Sequence, residues 1–358
     1  MEDMRSAPIL GLIFMLSATC LVHAAPAAEQ EWYRVNVPVA DLRKEPGPPG
    51  STLDHDPLEE SQLLYGDRVL LLERKEGWGR IEAEGQEEWT HHKRWQGYPG
   101  WIRLSAIIPD DPNDSWLPNI VVTAKSGTVR KKPVDNTEIR FILSLGTYLA
   151  GINEEKRGWW KLRLLDDSEG WIRREEITLL NKLTEAQQDT ETFRGRLVKT
   201  ARLFLNDPYY WGGRSAYNPQ VSAPPQRTVD CSGLIGLVYQ ANALEIPRDA
   251  HEQWMQARAI PPEKLSPGDL VFLHDPVDPQ KVTHVMLYIG DGHVIEGPGT
   301  GQRVRRTLLS ERLQKETRSR KISYGTYLEK PSAQNPEEPL GETESGSVND
   351  VLFPDFND

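Results

Sequence analysis

Asp230-Cys231-Ser232-Gly233 is the segment of this sequence best suited to chemistry, because it places a thiol at the start of a predicted helix. A helix N-terminus carries partial positive charge and free N–H groups, which favour a thiolate and can bind an oxyanion. Asp230 is predicted to cap this helix, and Gly233 to keep the approach to the thiol open. His284 begins an apolar, strand-like segment 53 residues further on, so it can act as the base for a cysteine nucleophile.

The second of the 2 cysteines, Cys20, lies in a predicted secretory signal. An apolar stretch from Ile9 to Val22 has the length of a signal's hydrophobic region, and small residues favour cleavage after Ala24, with Ala25 as the alternative. The mature chain would then hold one thiol and be exported to the periplasm or the extracellular space. A lipoprotein with Cys20 lipidated and a retained membrane anchor are the competing interpretations.

The bulk composition is that of a globular protein with two or three domains. The chain has 358 residues, 38% of them hydrophobic, and 11 tryptophans. A net charge of -11 argues against a nucleic-acid partner, and no segment after the signal is apolar for long enough to span a membrane. The histidines, including adjacent His91 and His92, show no zinc-ligand spacing, so neither a metal nor a cofactor is implied.

Four short segments of the N-terminal half recur in the same order. The pairs are Leu42–Pro46 with Val129–Pro133, Leu64–Val69 with Ser144–Leu149, Glu76–Ile81 with Arg157–Leu162, and Gly100–Ile102 with Gly170–Ile172. Short alternating runs with Gly, Pro and Asp turns lie between them, which is typical of small β-barrels. The residues predicted to fill the barrel cores are Trp78, Trp101, Trp159 and Trp171.

From Leu183 onward the pattern changes to helices followed by strands, which predicts an α+β domain. Apolar residues at helical spacing predict one helix from Thr184 to Leu205, capped by Thr184, and a second from Asp230 to Leu244. Strands are predicted at Leu270–Leu273, His284–Ile289 and His293–Ile295, with a tight hairpin turn at Asp291-Gly292. The acidic segment after Lys330 has no Lys or Arg and is predicted to be disordered.

The C-terminal half resembles the NlpC-type family of papain-like cell-wall peptidases. The motifs that carry the resemblance are Pro208–Gly213, Asp230–Leu234, Leu265–Phe272 and His284–Gly292, in this order. The resemblance covers about residues 190–328 and implies a papain-like α+β fold. It also implies that Cys231 is the nucleophile and His284 the base, and that Tyr209 is a pocket tyrosine near the thiol.

The N-terminal repeats resemble bacterial SH3-like domains, present twice. The predicted organisation is a signal peptide (1–24), two small all-β SH3-like barrels (31–110 and 115–180), the peptidase domain (183–329) and the acidic tail (330–358). The first barrel carries an insertion from Gln86 to Gly97 that is rich in Glu, His and Trp.

The third position of the family's catalytic group falls on Glu296, 12 residues after His284. Many members of the family have His there, and others have Asn or Gln. A carboxylate can also accept the proton of the far imidazole nitrogen, fix the tautomer and stabilise the imidazolium. His293 is the competing candidate, but alternation along a strand puts residues 293 and 296 on opposite faces, and we favour Glu296.

Two SH3-like domains ahead of such a peptidase are similar to a narrower group, the γ-D-glutamyl-L-diamino acid endopeptidases, also called dipeptidyl-peptidase VI. These enzymes cleave between D-Glu and the diamino acid in cell-wall peptides that begin with a free L-Ala. A free α-amine is cationic near neutral pH, so a site that requires it should offer carboxylates and exclude longer chains. The resemblance therefore implies a peptidoglycan-derived peptide as the substrate.

The same resemblance implies a set of substrate-binding residues. Asp249, in Ile246-Pro247-Arg248-Asp249, carries over as the carboxylate that pairs with the amine, whereas Ala250 replaces the serine common in the group. Glu60 is implied as a second amine ligand and Tyr98 as the side chain that closes over the L-Ala end. For these two, surface charge and barrel packing are the alternative roles.

Asp230 and Ser232, which flank the thiol, complete the predicted substrate-binding set. The expected activity is that of a cysteine peptidase that releases L-Ala-γ-D-Glu by acyl transfer. The alternatives are a hydrolase that acts on intact peptidoglycan, anchored by its SH3-like domains, and a catalytically inactive cell-wall-binding protein.

Overall fold

The computed structural model describes residues 30–48, 55–111, 116–216, 228–315 and 320–328. The predicted signal peptide, with Cys20, and the predicted acidic tail lie outside the described residues. In the described part of the chain, no helix is both long and apolar enough to cross a membrane.

Seven of the described strands in the N-terminal region form one antiparallel sheet. They are β1 (Glu31–Val35), β2 (Val39–Arg43), β3 (Glu59–Leu64), β4 (Arg68–Lys75), β5 (Trp78–Glu88), β6 (Gln96–Arg103) and β7 (Ile107–Pro109). Their order across the sheet is β3-β2-β6-β5-β4-β1-β7. Apolar side chains on one face form a core that includes Val35, Leu42, Val69, Ile81 and Ile102.

The next seven described strands repeat this arrangement. They are β8 (Ile120–Val122), β9 (Ser126–Arg130), β10 (Ile139–Ser144), β11 (Tyr148–Lys156), β12 (Trp159–Arg163), β13 (Glu169–Arg173) and β14 (Ile177–Leu179). Their order, β10-β9-β13-β12-β11-β8-β14, is the order of the first sheet with each strand number raised by seven. The predicted internal repeat is therefore present in the structure.

The repeat extends to the turns that connect the strands. Glu76 and Gly77 have φ angles of 48° and 80°, and the equivalent Arg157 and Gly158 have 53° and 79°. Two successive positive φ angles match the twist of the flanking strands, as in tight hairpins.

The sheet-rich N-terminal region is confirmed. Among the described strands, however, no pairing joins the two edges of either sheet, so the closed SH3-like barrels stay a prediction.

The repeated tryptophans are largely inside these sheets. The buried ones are Trp78, Trp159 and Trp171. Trp101 is only partly buried. The guanidinium of Arg103 lies 3.9 Å from the ring centre of Trp78, and that of Arg173 lies 4.2 Å from Trp159. Equivalent positions of the two repeats thus hold equivalent cation–π contacts.

The C-terminal region combines helices with a second type of sheet. The helices are α1 (Leu180–Ala186), α2 (Thr190–Arg202), α3 (Cys231–Gln240), α4 (Ala250–Gln256) and α5 (Leu309–Gln314). The strands are β15 (Arg258–Ala259), β16 (Leu270–His274), β17 (Val282–Gly290), β18 (His293–Glu296), β19 (Arg305–Leu308) and β20 (Ile322–Thr326). They form an antiparallel sheet in the order β15-β20-β16-β17-β18-β19.

The predicted helix from Thr184 to Leu205 is wrong in its boundaries. The chain forms two helices there, and Asp189 between them caps α2 by accepting hydrogen bonds from the backbone N–H groups of Glu191 and Thr192. Thr184 lies inside α1, where its hydroxyl donates to the carbonyl of Leu180. A short side chain that can cap a helix can also bond back to the preceding turn, so its type alone does not locate the boundary.

The strand predictions agree better with the structure. Each of the three predicted strands lies within β16, β17 or β18. Asp291 and Gly292, with φ angles of 51° and 67°, form the tight turn between β17 and β18. Since this hairpin brings β17 alongside β18, it fixes the separation of His284 and Glu296.

Helix α3 is fixed between both N-terminal sheets and the C-terminal sheet. Its buried side chains join a core that also contains Leu64 of the first sheet and Leu145 from the turn after β10. At its C-terminal end, the Gln240 side chain donates to the carbonyl of Gly146 at 2.9 Å. Burial of an all-round apolar helix in this way gives Cys231 a rigid support.

Two glycines of α3 test how closely its first turn is packed. A Cβ at Gly233 would lie 2.1 Å from the carbonyl oxygen of Gly213, whereas a Cβ at Gly236 meets nothing within 4 Å. We expect Gly233→Ala to lower the free energy of unfolding by about 3 kcal/mol. Gly236→Ala should raise it by up to about 1 kcal/mol, because alanine is the better helix former. Urea unfolding followed by tryptophan fluorescence measures both, and equal effects would contradict this packing.

Candidate active site

Cys231 is the first residue of α3, and Asp230 fixes the start of the helix. The Oδ1 atom of Asp230 accepts a hydrogen bond from the N–H of Gly233 at 2.6 Å, and its Oδ2 accepts one from Gly212 at 3.1 Å. Cys231 has a free, partly exposed thiol. The thiol therefore lies where the unpaired N–H groups of the helix can stabilise negative charge.

His284 on β17 lies between the thiol and a carboxylate on β18. Its Nε2 is 2.8 Å from Oε2 of Glu296. Cys231 acts on the same ring by raising its pKa, and because Nε2 faces Glu296, Nδ1 is the nitrogen available to the thiol. His284 and Glu296 are both buried. The three side chains thus form a line of thiol, imidazole and carboxylate.

The protonation states of this line follow from its charges. Burial alone would lower the pKa of His284, but hydrogen bonds and charge interactions with Cys231 and Glu296 raise it to about 9. Burial would raise the pKa of Glu296, but His284 and Arg312 lower it to about 2. Near neutral pH the imidazolium and the carboxylate are therefore both charged.

His293, the rival candidate for the third position, points elsewhere. Its Nδ1 lies 2.6 Å from the backbone carbonyl oxygen of Asp291, at the hairpin turn. The structure thus brings Glu296, and not His293, onto the imidazole of His284. The alternation of side chains along β18 accounts for this difference.

A buried arginine, Arg248, organises the residues around Cys231. Its Nη2 donates to Asp230 Oδ2 at 2.8 Å, and its Nη1 donates to Asp230 Oδ1 at 3.2 Å and to Ser232 Oγ at 3.0 Å. Its Nε donates to Ser61 Oγ of the first sheet at 2.7 Å. The polar atoms of Asp230 and Ser232, predicted to bind substrate, thus face Arg248 and position the start of α3.

Two further predicted residues, Tyr98 and Asp249, meet beside this cluster. The hydroxyl of Tyr98, from the first sheet, donates to Oδ2 of Asp249 at 3.0 Å. Burial and the charges of Asp249 and Glu60 hold the pKa of Tyr98 well above its usual range. Glu60 lies on β3 of the first sheet. Burial also raises the pKa of Asp249 to about 6, against the opposing effect of Arg248. Asp249 still exposes 41% of its side chain, so a ligand can reach it.

Tyr209 lies near enough to the thiol for the charge of Cys231 to affect its hydroxyl. Its side chain is buried, and its ring lies 3.4 Å from the point where a Cβ on Gly297 would be. Burial, followed by the charges of Cys231 and Asp230, raises the pKa of its hydroxyl. It therefore stays neutral and can donate a hydrogen bond beside the thiol.

Comparison with known proteins finds a matching family model for part of the chain. Residues 206–322 match the model of the NlpC/P60 family, so this chain contains an NlpC/P60 domain. The matched range includes Cys231, His284 and Glu296.

Several relatives extend the similarity beyond this domain. A γ-D-glutamyl-L-lysine dipeptidyl-peptidase of Bacillus cereus (strain ATCC 10987 / NRS 248) is 27% identical over 67% of this chain and 67% of its own length. A protein of the same name from Bacillus subtilis (strain 168) is 25% identical over 72% of this chain and 78% of its own. The crystal structure of an NlpC/P60 family protein from Bacillus cereus ATCC 10987 aligns with a TM-score of 0.68 and 22% identity. It covers 83% of this chain and 100% of that one, and supports the fold.

Sequence reasoning missed the three arginines that contact the site: Arg248, Arg305 and Arg312. One signal was available, because a carboxylate expected to be buried needs a cationic partner. The sequence offers many arginines for that role, and nothing in their spacing selects these.

Replacing Glu296 tests the line of three side chains without any substrate. Glu296→Gln removes the carboxylate that stabilises the imidazolium, so the pKa of His284 should fall by more than about one unit. Iodoacetate alkylates Cys231 faster while His284 is protonated, because the imidazolium attracts the anionic reagent. The alkaline limb of the rate against pH should therefore move to lower pH. His293→Gln is the matched control and should leave the limb in place; a limb that moves only in the control would assign the role to His293.

Proposed function

We propose that this chain is a cysteine peptidase that cleaves the γ-D-glutamyl–diamino acid bond of peptidoglycan stem peptides with a free N-terminal L-Ala. Its products are L-Ala-γ-D-Glu and the remainder of the peptide. The NlpC/P60 domain belongs to a family of peptidoglycan peptidases, which are hydrolases. The names of the two Bacillus relatives support the finer specificity.

The chemistry is acyl transfer through Cys231. The thiolate attacks the γ-carbonyl carbon of D-Glu, and the backbone N–H of Cys231 stabilises the oxyanion. As the C–N bond breaks, His284 gives its proton to the amine of the departing diamino acid. The same imidazole then takes a proton from water, which attacks the thioester and releases the dipeptide. Glu296 holds the ring in position through both steps.

The observation that carries the specificity is the contact between Tyr98 and Asp249. It joins the first sheet to the start of α4, one residue from the arginine that binds Asp230. A carboxylate at this place can pair with the α-ammonium group of L-Ala, and in this proposal Tyr98 behind it excludes a longer chain. Glu60 adds negative charge, while Ala250 in place of serine removes one possible hydrogen bond.

In this proposal, the N-terminal region contributes to the specificity for a free amine. We interpret its two sheets as SH3-like domains, of which the first closes the amine end of the cleft. Thr90 and Glu87 of its insertion contact Glu252 and Gln256 of α4, which supports a fixed attachment. Export of the chain to the periplasm or the cell exterior would bring it to its substrate.

Two peptides that differ in one group test the specificity. L-Ala-γ-D-Glu-L-Lys or its diaminopimelate analogue should be cleaved to L-Ala-γ-D-Glu, whereas N-acetylation of L-Ala should lower kcat/KM by about 100-fold. This factor corresponds to loss of one charged hydrogen bond, about 3 kcal/mol. Liquid chromatography with mass detection measures both rates, with Cys231→Ala as the blank. Equal rates would contradict the amine requirement, and faster release from intact peptidoglycan would favour a wall hydrolase.

A substitution in the protein tests the same discrimination between the free-amine and the acetylated peptide. Asp249→Asn should remove it. We expect KM for the free-amine peptide to rise about 10- to 100-fold, with kcat nearly unchanged and the acetylated peptide unaffected. Glu263→Gln, which removes an exposed carboxylate elsewhere, is the matched control. A variant that loses activity equally toward both peptides would show that Asp249 acts on the fold instead.

The pKa of Asp249 gives a separate prediction on pH. Since its folded-state pKa is raised to about 6, the carboxylate loses its charge as pH falls through 6. The kcat/KM of the wild-type chain for the free-amine peptide should therefore show an acid limb near pH 6. Asp249→Asn should lack this limb, and its persistence in the variant would assign it to another group.

A further inference from the structure

Glu296 is a buried carboxylate whose two oxygens are both occupied by cationic side chains. Oε2 accepts hydrogen bonds from His284 Nε2 at 2.8 Å and from Arg312 Nε at 2.9 Å. Oε1 accepts from Arg305 Nε at 3.0 Å and Nη2 at 2.8 Å, and from Arg312 Nε at 3.2 Å. The carboxylate is therefore fixed in its plane as well as in its position.

The two arginines reach Glu296 from different elements. Arg305 on β19 is the direct cross-strand partner of Glu296 on β18. Arg312 reaches it from α5. The side chain of Arg312 is 10% exposed, against 42% for Arg305. Because solvent screens exposed ion pairs, Arg312 is the stronger partner.

A carboxylate beside the imidazole creates a problem that a neutral side chain does not. Its negative charge stabilises the imidazolium, and an imidazolium that holds its proton too firmly is a poor acid toward a leaving amine. Arginines on the same oxygens weaken this hold in two ways. They draw negative charge away from the ring, and they add positive charge close to it.

We propose that Arg312, supported by Arg305, is a positioning residue that holds Glu296 against His284 and offsets its charge, so that the imidazolium can release its proton during turnover. The titratable and charged groups that face this pair are the Cys231 thiol from α3, Arg305 from β19 and Arg312 from α5. The inference rests on the proposed peptidase function for its effect on turnover. Its effect on His284 itself requires no substrate.

The test follows the ring of His284 by NMR in the full chain labelled with ¹³C-histidine, its signal assigned by comparison with His284→Asn. Arg312→Gln should raise the pKa of His284 by about one unit, because the carboxylate oxygen that binds His284 then loses its buried cationic partner. Loss of the carboxylate in Glu296→Gln should lower it. Two substitutions that break the same ion pair thus move one pKa in opposite directions, which a merely structural role of Arg312 does not do.

Turnover supplies the second readout. With the free-amine peptide at neutral pH, Arg312→Gln should lower kcat about tenfold and change KM less than about twofold. Arg312→Lys, which keeps the charge, should restore most of the loss. Arg306→Gln is the matched control, since Arg306 lies beside Arg305 on β19, pairs with Ile295 and is exposed. It should change neither readout.

An unchanged or lowered pKa of His284 in folded Arg312→Gln would overturn the inference. If that variant does not fold, Arg305→Gln replaces it, with a smaller upward shift as the supporting result and no shift as the contradicting one. If the pKa of His284 rises as expected but the wild-type chain does not cleave the peptide, the inference holds and the proposed substrate is wrong. The two proposals can therefore fail separately.

Discussion

The buried ion pair between Arg248 and Asp230 is the interaction on which the rest of the site depends. Asp230 caps the helix that begins with Cys231, while Arg248 immediately precedes Asp249 at the start of α4. The guanidinium of Arg248 also reaches Ser61 of the first sheet. The backbone N–H of Arg248 donates to the carbonyl of Glu87. Breaking a buried pair by removing one partner costs about 3–5 kcal/mol, because the other charge is left without compensation. One contact thus couples the thiol, the proposed amine-binding carboxylate and the N-terminal sheet.

The line of Cys231, His284 and Glu296 depends on this fixed start of α3 from one side and on a hairpin from the other. The turn at Asp291-Gly292 sets the pairing of β17 with β18, and that pairing sets the distance between imidazole and carboxylate. Both strands lie far from α3 along the chain, so the thiol and the imidazole are brought together only by packing of the helix on the sheet. Small shifts of α3 would therefore change the separation of the thiol and the imidazole, on which the proposed proton transfer depends.

The parts of this molecule that sequence reasoning predicted are those with local signals. The helix cap at Asp230, the hairpin turn and the repeated strands all depend on residues a few positions apart, where turn and capping chemistry apply. The boundary between α1 and α2 was missed because Thr184 and Asp189 are both able to cap a helix, and residue type alone does not show that Asp189 does so. The contact between Arg248 and Ser61 spans 187 residues, and no local pattern reports it. No local pattern reports the contact between Arg312 and Glu296 either.

In the proposed function, specificity and reactivity are supplied by different parts of the chain. The reacting groups lie on α3, β17 and β18, within the NlpC/P60 domain. The wall of the proposed amine site is a tyrosine whose ring belongs to the core of the first sheet, and whose hydroxyl alone reaches Asp249. A side chain buried in one core and bonded to a carboxylate of another region cannot adapt to a longer substrate without disturbing that core. In the proposed function, the preference for a free amine is therefore a property of how the first sheet is attached, and it can change through that attachment while the chemistry at Cys231 stays the same.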